Sequence, residues 1–259
     1  MLLALLLVLL CTSAGIATPK KGFGLCGRLY KCGDTFALSG TSWWYNWHYS
    51  REEYHWKHCS KFPRGEFVPM IWSEKYLHVA KIPADAKHVL GFNEPNAKNQ
   101  ANLTPERAAQ LWPQVEKLAG NRILISPAPY GCDNNPDMCI QWFERFFKAC
   151  HKCRVDRIAV HGYHCDSNKM IDSLLKIYNK FKKRIWLTEF ACTASNSVDH
   201  YISFLHDLVP KLEHHWAIER YAWFCSRGDQ SSSGRRPWNL LNMDSPTLSR
   251  LGQVYNSVQ

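Results

Sequence analysis

The chain has 259 residues, of which 46% are hydrophobic, and it carries a formal net charge of +10 at pH 7. This length and apolar content suffice for one full core and suit a single α/β barrel domain. The basic residues are scattered, and their densest run, Lys180 to Arg184, lies where a predicted helix ends and its dipole favours cations. We therefore expect no nucleic-acid partner.

Residues 1–17 read MLLALLLVLLCTSAGIA. An apolar run that is too short to span a bilayer, followed by small residues, is typical of a secretory signal peptide. No other stretch approaches the ~18 uninterrupted apolar residues that a membrane-spanning helix needs. The sequence therefore predicts a secreted, extracellular protein with no membrane span and a mature domain over residues 18–259.

Cysteine usage agrees with export. Cys11 lies in the signal segment, so ten of the 11 cysteines remain. An even number of cysteines in an exported chain predicts disulfide bonds. Spacing does not decide the pairing, and Cys132 with Cys139, which would close a short loop, is the one pair that we suggest.

Short apolar runs alternate with helical patterns along the chain. Thr104-Pro105-Glu106 marks one helix start, with a hydroxyl cap, a proline in the first turn and then an acid. Strand–helix alternation indicates a mostly parallel sheet, and eight strands in this length indicate a (β/α)8 TIM barrel. The predicted strands are 22–26, 37–43, 66–72, 87–93, 122–127, 157–161, 184–189 and 219–225.

Two of these predicted strands end in a carboxylate. The segment VLGFNEPN contains Glu94, and IWLTEFAC contains Glu189. A charged group at the end of a buried strand is costly unless it is paired or used. On our count these residues close strands four and seven, so they would face each other across the carboxyl-terminal mouth, where barrel active sites are built. A structural ion pair is the alternative.

Two facing carboxylates in aromatic surroundings indicate glycoside hydrolysis. Flat rings stack on sugars, and neighbouring amides and imidazoles bind hydroxyl groups. The alternative for each ring is a place in the core. The candidate substrate-binding residues at predicted strand ends are Trp44, Asn46, Trp72, His161, Tyr163 and Trp223.

Several motifs together resemble glycoside hydrolase family 128. They are VLGFNEPN, Ser42-Trp43-Trp44-Tyr45-Asn46-Trp47, Phe67-Val68-Pro69-Met70, Arg154 to His161, Ile185 to Cys192 and Glu219 to Phe224. The resemblance implies a β-1,3-glucanase on a (β/α)8 barrel of the retaining clan, with β-glucan as its polysaccharide substrate. It also implies Glu94 as the acid/base, Glu189 as the nucleophile and Asn93 as a ligand of the sugar 2-hydroxyl.

The chain departs from the family pattern at two positions. Gly162 stands where family members commonly carry a bulky aromatic residue, and Asn96 stands where they often have Asp. We expect both positions to lie by the cleft and to affect chain-length preference. Asn102 begins a glycosylation sequon, whose third residue is equally explained as a helix cap.

The sequence therefore predicts a monomeric, secreted, retaining endo-β-1,3-glucanase without a metal or cofactor. Gly22 to Gly27 match a nucleotide-binding pattern, but Cys32-Gly33 interrupts any helix after it. A non-hydrolytic polysaccharide-binding or matrix protein is the alternative of another class. A zinc-dependent hydrolase is a third, because His and Cys cluster in 55–59, 150–153 and 161–165, although export favours disulfides there.

Overall fold

The computed structural model describes residues 18–26, 29–51, 58–61, 63–228 and 238–259. The predicted signal peptide and part of the histidine-containing stretch 55–59 lie outside the described residues. In the part that is described, no helix combines the length and the apolar character that crossing a membrane requires.

The described residues form a (β/α)8 barrel, as the sequence predicts. Every pair of neighbouring strands is parallel. The strands are β1 (Lys21–Gly24), β2 (Trp43–Tyr45), β3 (Glu66–Phe67), β4 (His88–Leu90), β5 (Ile123–Ile125), β6 (Ile158–Gly162), β7 (Ile185–Phe190) and β8 (Ile218–Trp223).

Two short contacts close the ring of strands. Six strands pair in the order β3-β2-β1-β8-β7-β6, and β4 pairs with β5. A bridge from Met70 to Leu90 joins the β3 side to β4, and a bridge from Ile125 to Arg157 joins β5 to the β6 side. Because the carboxyl ends of all strands point the same way, they surround one opening, which we call the mouth.

Helices pack around the barrel and begin on the mouth side. They are α1 (Asp34–Ala37), α2 (Pro105–Ala119), α3 (Pro136–Ala149), α4 (Ser167–Phe181), α5 (Val198–His214) and α6 (Arg250–Ser257). The predicted start of α2 is confirmed, because the Thr104 side chain accepts a hydrogen bond from the Arg107 backbone N–H at 3.1 Å. Asn102 is exposed just before this cap, so its glycosylation stays a prediction.

Side chains alternate between two apolar layers along each strand. On β2, Trp43 and Tyr45 point into the barrel, whereas Trp44 packs in the layer between strands and helices. On β8, Ala222 lies inside the barrel and Trp223 lies in the outer layer. This alternation decides which aromatic rings can reach the mouth.

The second strand differs from its prediction over 37–43. The apolar residues there suggest a strand, but Asp34–Ala37 forms a short helical turn and the strand begins only at Trp43. The Asp34 carboxylate accepts a hydrogen bond from the Lys31 backbone N–H and pairs with buried Arg227, which favours the turn. Parallel pairing of Gly22 with Trp43 sets where β2 starts.

All ten described cysteines form disulfide bonds. The predicted pair Cys132–Cys139 is confirmed. The others are Cys26–Cys225, Cys32–Cys59, Cys150–Cys153 and Cys165–Cys192. Cys26 follows β1 and Cys225 follows β8, so their bond joins the first and last strands at the mouth.

Candidate active site

Glu94 lies four residues beyond β4. Backbone hydrogen bonds still tie the chain there to the segments that follow β3 and β5. The Asn93 N–H donates to the Trp72 carbonyl at 2.9 Å, and the Glu94 N–H donates to the Ala128 carbonyl at 2.9 Å. Glu94 has a φ of 40°, in the left-handed region that non-glycine residues rarely adopt. Such strain persists only where the surrounding structure enforces it, and active sites are one place where it clusters.

Glu189 lies inside β7 and is buried. The Trp47 indole N–H donates a hydrogen bond of 2.6 Å to one carboxylate oxygen, and the Tyr163 hydroxyl donates to the other. Burial raises the pKa of Tyr163 well above its usual value, and the charge of Glu189 raises it further. The hydroxyl therefore keeps its proton and acts as a donor.

His161 joins the two carboxylates from within β6. Its Nδ1 lies 2.8 Å from a Glu94 oxygen and 3.4 Å from a Glu189 oxygen. Burial lowers the pKa of this imidazole, but the charge of Glu189 and the hydrogen bond to Glu94 outweigh burial, so the net shift is upward. One oxygen of each glutamate and the imidazole nitrogen all lie within 4.8 Å of one another.

The two carboxylates open onto a pocket of about 460 Å³ at the mouth. The Asn93 amide donates to Gln100 at 3.1 Å, while its buried oxygen has no partner among the described residues. The pocket therefore combines two acids, one unpaired acceptor and aromatic walls. Its lining residues are Trp47, Trp72, Asn93, Glu94, Gln100, Tyr130, Tyr163, Glu189, Thr193 and Phe224.

The structure brings together most of the residues predicted for the site. Glu94, Glu189, Asn93, Trp72 and Tyr163 line the pocket. His161, by contrast, is fully buried behind the two carboxylates, where it contacts both.

The structure contradicts our expectation that Trp44 and Trp223 bind the substrate by stacking on sugar rings. Their exposures are 1% and 0%, and both lie in the layer between the strands and the helices. Trp44 packs on Phe67, and the Trp223 indole donates to the Trp238 carbonyl. Neither ring can meet a sugar, because strand alternation turns both away from the mouth.

Asn46 also differs from its prediction as a substrate ligand. Its amide nitrogen donates to the Ser50 carbonyl at 3.0 Å, and its oxygen accepts from the His48 backbone N–H. The side chain is buried and stabilises the loop that follows β2.

Several pocket residues were not predicted as such. Trp47 and Phe224 each lie close in sequence to a tryptophan that we selected, and the two-residue period of a strand could have indicated them. Gln100, Tyr130 and Thr193 lie in loops, where no periodicity identifies a side chain that faces the site.

The two departures from the family pattern have separate explanations. A Cβ on Gly162 would lie 2.3 Å from the Met170 sulfur, so this position packs against α4 rather than lying by the cleft. The Asn96 amide bonds the backbone of Tyr130 twice, as donor to its carbonyl at 3.0 Å and as acceptor from its N–H at 2.8 Å. Asn96 therefore supports a loop that carries a pocket residue.

Two groups among the described residues have metal-ligand chemistry. Cys165, Cys192 and His200 lie together, but the two cysteines form a disulfide bond and offer no thiolate. Glu94, His161 and Glu189 offer suitable donor atoms, and they already interact with one another through the His161–Glu94 hydrogen bond and the His161–Glu189 contact at 3.4 Å.

Comparison with known proteins identifies relatives of this chain. A family model described as glycosyl hydrolase catalytic core matches residues 29–255. "Alkali-sensitive linkage protein 1" of Schizosaccharomyces pombe is 30% identical over 235 residues, which are 86% of this chain and 42% of that protein. The chain therefore spans less than half of this curated relative.

Two solved structures share the fold over nearly their whole length. A family 128 (subgroup II) endo-β-1,3-glucanase from Sorangium cellulosum has a TM-score of 0.79 and 34% identity, covering 93% of this chain and 98% of that chain. A subgroup I endo-β-1,3-glucanase from Amycolatopsis mediterranei, in complex with laminarihexaose, has a TM-score of 0.73 and 27% identity, covering 93% and 100%.

Proposed function

This chain belongs to the glycosyl hydrolase catalytic core family, and we propose that it is a secreted, monomeric, retaining endo-β-1,3-glucanase that needs no metal or cofactor. One observation carries the proposal. Glu94 and Glu189 meet at the mouth, with an oxygen of each within 4.8 Å of the other, in a pocket with aromatic walls.

The substrate class is supported by the relatives. Both solved structures are endo-β-1,3-glucanases, and one binds laminarihexaose. An open pocket at the mouth suits an enzyme that binds within a polymer. The unpaired Asn93 oxygen is placed to accept a hydrogen bond from a sugar hydroxyl, which we assign as the 2-hydroxyl beside the cleaved bond.

The carboxylate arrangement supports retention. Retaining enzymes hold their two carboxyl groups ~5–5.5 Å apart, whereas inverting enzymes need ~6.5–9.5 Å to admit water between acid and sugar. The close approach of the Glu94 and Glu189 oxygens fits the shorter separation.

The hydrogen bonds support different roles for the two acids. Trp47 and Tyr163 both donate to Glu189, which orients its oxygens and stabilises negative charge on them. Glu189 is therefore suited to attack the anomeric carbon. Glu94 then gives its proton to the leaving oxygen. In the second step Glu94 removes a proton from water, which attacks the same carbon and releases Glu189.

The proposal is tested by product analysis on laminarin, cellulose, mixed-linkage glucan, xylan and chitin. We expect cleavage of laminarin into several oligosaccharides, and proton NMR should show the β-anomer first. Release of glucose alone, an initial α-anomer or hydrolysis of another polysaccharide instead would contradict the proposal. Binding of laminarin without any hydrolysis would favour the non-hydrolytic alternative.

Variants separate the two roles. Glu189→Gln should abolish turnover of every substrate, because no covalent intermediate can form. Glu94→Gln should retain activity only on aryl glucosides whose leaving group needs no proton. Glu106→Gln, on the outer surface of α2, is the matched control and should keep full activity. Equal defects of the two active-site variants on both substrates would contradict the assignment.

A further inference from the structure

The loop between β5 and α3 contains a buried acid that the mechanism above does not use. Asp133 is only 2% exposed. One of its carboxylate oxygens accepts hydrogen bonds from the backbone N–H groups of Tyr163 and His164, both at 2.6 Å. A buried charge is costly, and here two backbone donors directly after β6 compensate it.

The position of Tyr163 matters because its hydroxyl donates to Glu189. Its side chain projects from the segment that directly follows β6, beyond the regular pairing of the sheet. The ladder between β6 and β7 ends with Gly162 paired to Phe190. The Asp133 carboxylate therefore accepts one hydrogen bond from the Tyr163 backbone and one from the His164 backbone at a point where the ladder stops.

The loop that carries Asp133 is itself held on several sides. The Ser173 hydroxyl of α4 donates to the Asp133 carbonyl at 3.0 Å, and the adjacent Cys132 is bonded to Cys139 in α3. At the other end of the loop, Asn96 holds the backbone of Tyr130. These contacts hold the loop in place, and with it the backbone from which the Asp133 carboxylate projects.

We propose that Asp133 is a positioning residue that fixes Tyr163 and, through its hydroxyl, the nucleophilic carboxylate of Glu189. The inference rests on the proposed role of Glu189. Loss of the carboxylate frees the Tyr163 backbone and lets its hydroxyl move away from Glu189. Because misplacement of a reacting group by ~1 Å can cost ~100-fold in rate, the larger effect falls on kcat. Tyr163 also lines the pocket, so a smaller effect on KM accompanies it.

Asp133→Ala should lower kcat on laminarin by ~10–100-fold, with KM changed by less than about threefold. Asp133→Asn keeps an oxygen that can accept from the two N–H groups and should recover at least half of the loss on a logarithmic scale. Asp156→Ala is the matched control. Asp156 precedes β6, at the end of the strand opposite Tyr163, and its carboxylate accepts a hydrogen bond from the Leu124 backbone N–H in β5. This substitution should lower stability and leave kcat unchanged.

A double-mutant cycle with Tyr163→Phe distinguishes positioning from general destabilisation. Tyr163→Phe removes the hydroxyl and keeps the backbone N–H. If Asp133 acts through that hydroxyl, adding Asp133→Ala or Asp133→Asn to Tyr163→Phe should lower kcat less than about threefold further. Independent, multiplying losses would overturn the proposal, as would an unchanged kcat in Asp133→Ala.

The outcomes remain distinct from failure of the proposed function. An inactive wild-type protein would refute the glucanase assignment. An active wild-type protein whose Asp133 variants are fully active would refute only the positioning role. If Asp133→Ala does not fold, the cycle built on Asp133→Asn decides between the two results.

Discussion

Glu189 depends on side chains from two other parts of the barrel. Trp47 follows β2 and Tyr163 follows β6, yet both donate to its carboxylate. The Trp47 ring packs on Phe224, which follows β8 and also lines the pocket. Aromatic residues here therefore have two roles in the proposed site, because they hold the carboxylate proposed as the nucleophile and also form the walls that would contact sugar.

Tyr130 is the pocket residue best placed to stack on a sugar. Its side chain is 50% exposed although Asn96 holds its backbone. Tyr130→Ala should raise KM for laminari-oligosaccharides ~5–30-fold, because covering such a ring contributes about 1–2 kcal/mol. Initial rates across oligosaccharide concentrations measure this effect.

Trp216 provides the control for Tyr130. It is 62% exposed, but it precedes β8 and so lies at the end of the barrel away from the mouth. Trp216→Ala should leave KM unchanged. Similar increases in KM for both variants would show that Tyr130 has no specific role.

His161 gives the site a dependence on pH. Its folded pKa is raised above 6.5, so the stabilisation from its positive charge is full below about pH 6.5 and is lost as pH rises through the folded pKa. The free energy of unfolding of the wild type should therefore exceed that of His161→Gln by the largest amount at low pH. Urea unfolding at several pH values tests this, and a difference that grows with pH would contradict it.

At the scale of elements, loops rather than strands join the parts of the site. Cys165, two residues after Tyr163, is bonded to Cys192, three residues after Glu189. The Thr193 N–H, next to that bond, approaches the Tyr163 carbonyl at 3.4 Å. The segments that follow β6 and β7 are thus connected beyond the end of the sheet.

Two disulfides allow a matched test of this connection. Cys165–Cys192 and Cys32–Cys59 each span 27 positions, so loss of either should cost a similar ~3–4 kcal/mol of chain-entropy stabilisation. Replacing both cysteines of a pair by serine should lower the melting temperature similarly in the two variants. Only the Cys165/Cys192 variant should also lose kcat, measured well below its melting temperature.

An equal loss of kcat in the two disulfide variants would show that general destabilisation explains the effect. Unchanged kcat in both would mean that the hydrogen bonds around Tyr163 and Glu189 suffice without the covalent link.

For the whole molecule, the proposed chemistry requires only the two acids and water. Glu94, His161 and Glu189 could offer ligands to a metal ion, but the two-carboxylate mechanism does not use one. Activity on laminarin should therefore survive prolonged treatment with EDTA. Loss of activity that Zn²⁺ restores would favour the zinc-dependent alternative.

The sequence by itself determined the barrel and the two acids. Repeated apolar runs separated by helical patterns predict the strands of a parallel ring, and a glutamate at the end of such a run is conspicuous because its burial is costly. Ring closure then places the ends of β4 and β7 around one mouth. This reasoning put Glu94 and Glu189 at the mouth. The Cys132–Cys139 bond was suggested only because it would close a short loop, and spacing did not decide the other pairs.

Only the tertiary structure decided which aromatic rings face the pocket and what holds the acids. Trp44 and Trp47 share one short segment, but the first is in the core and the second bonds Glu189. The direction in which a side chain points depends on where its strand starts and stops, and pairing with the neighbouring strands sets those two positions. Asp133 and Tyr130 lie in a loop without periodicity, so their places depend on contacts between residues far apart in the chain.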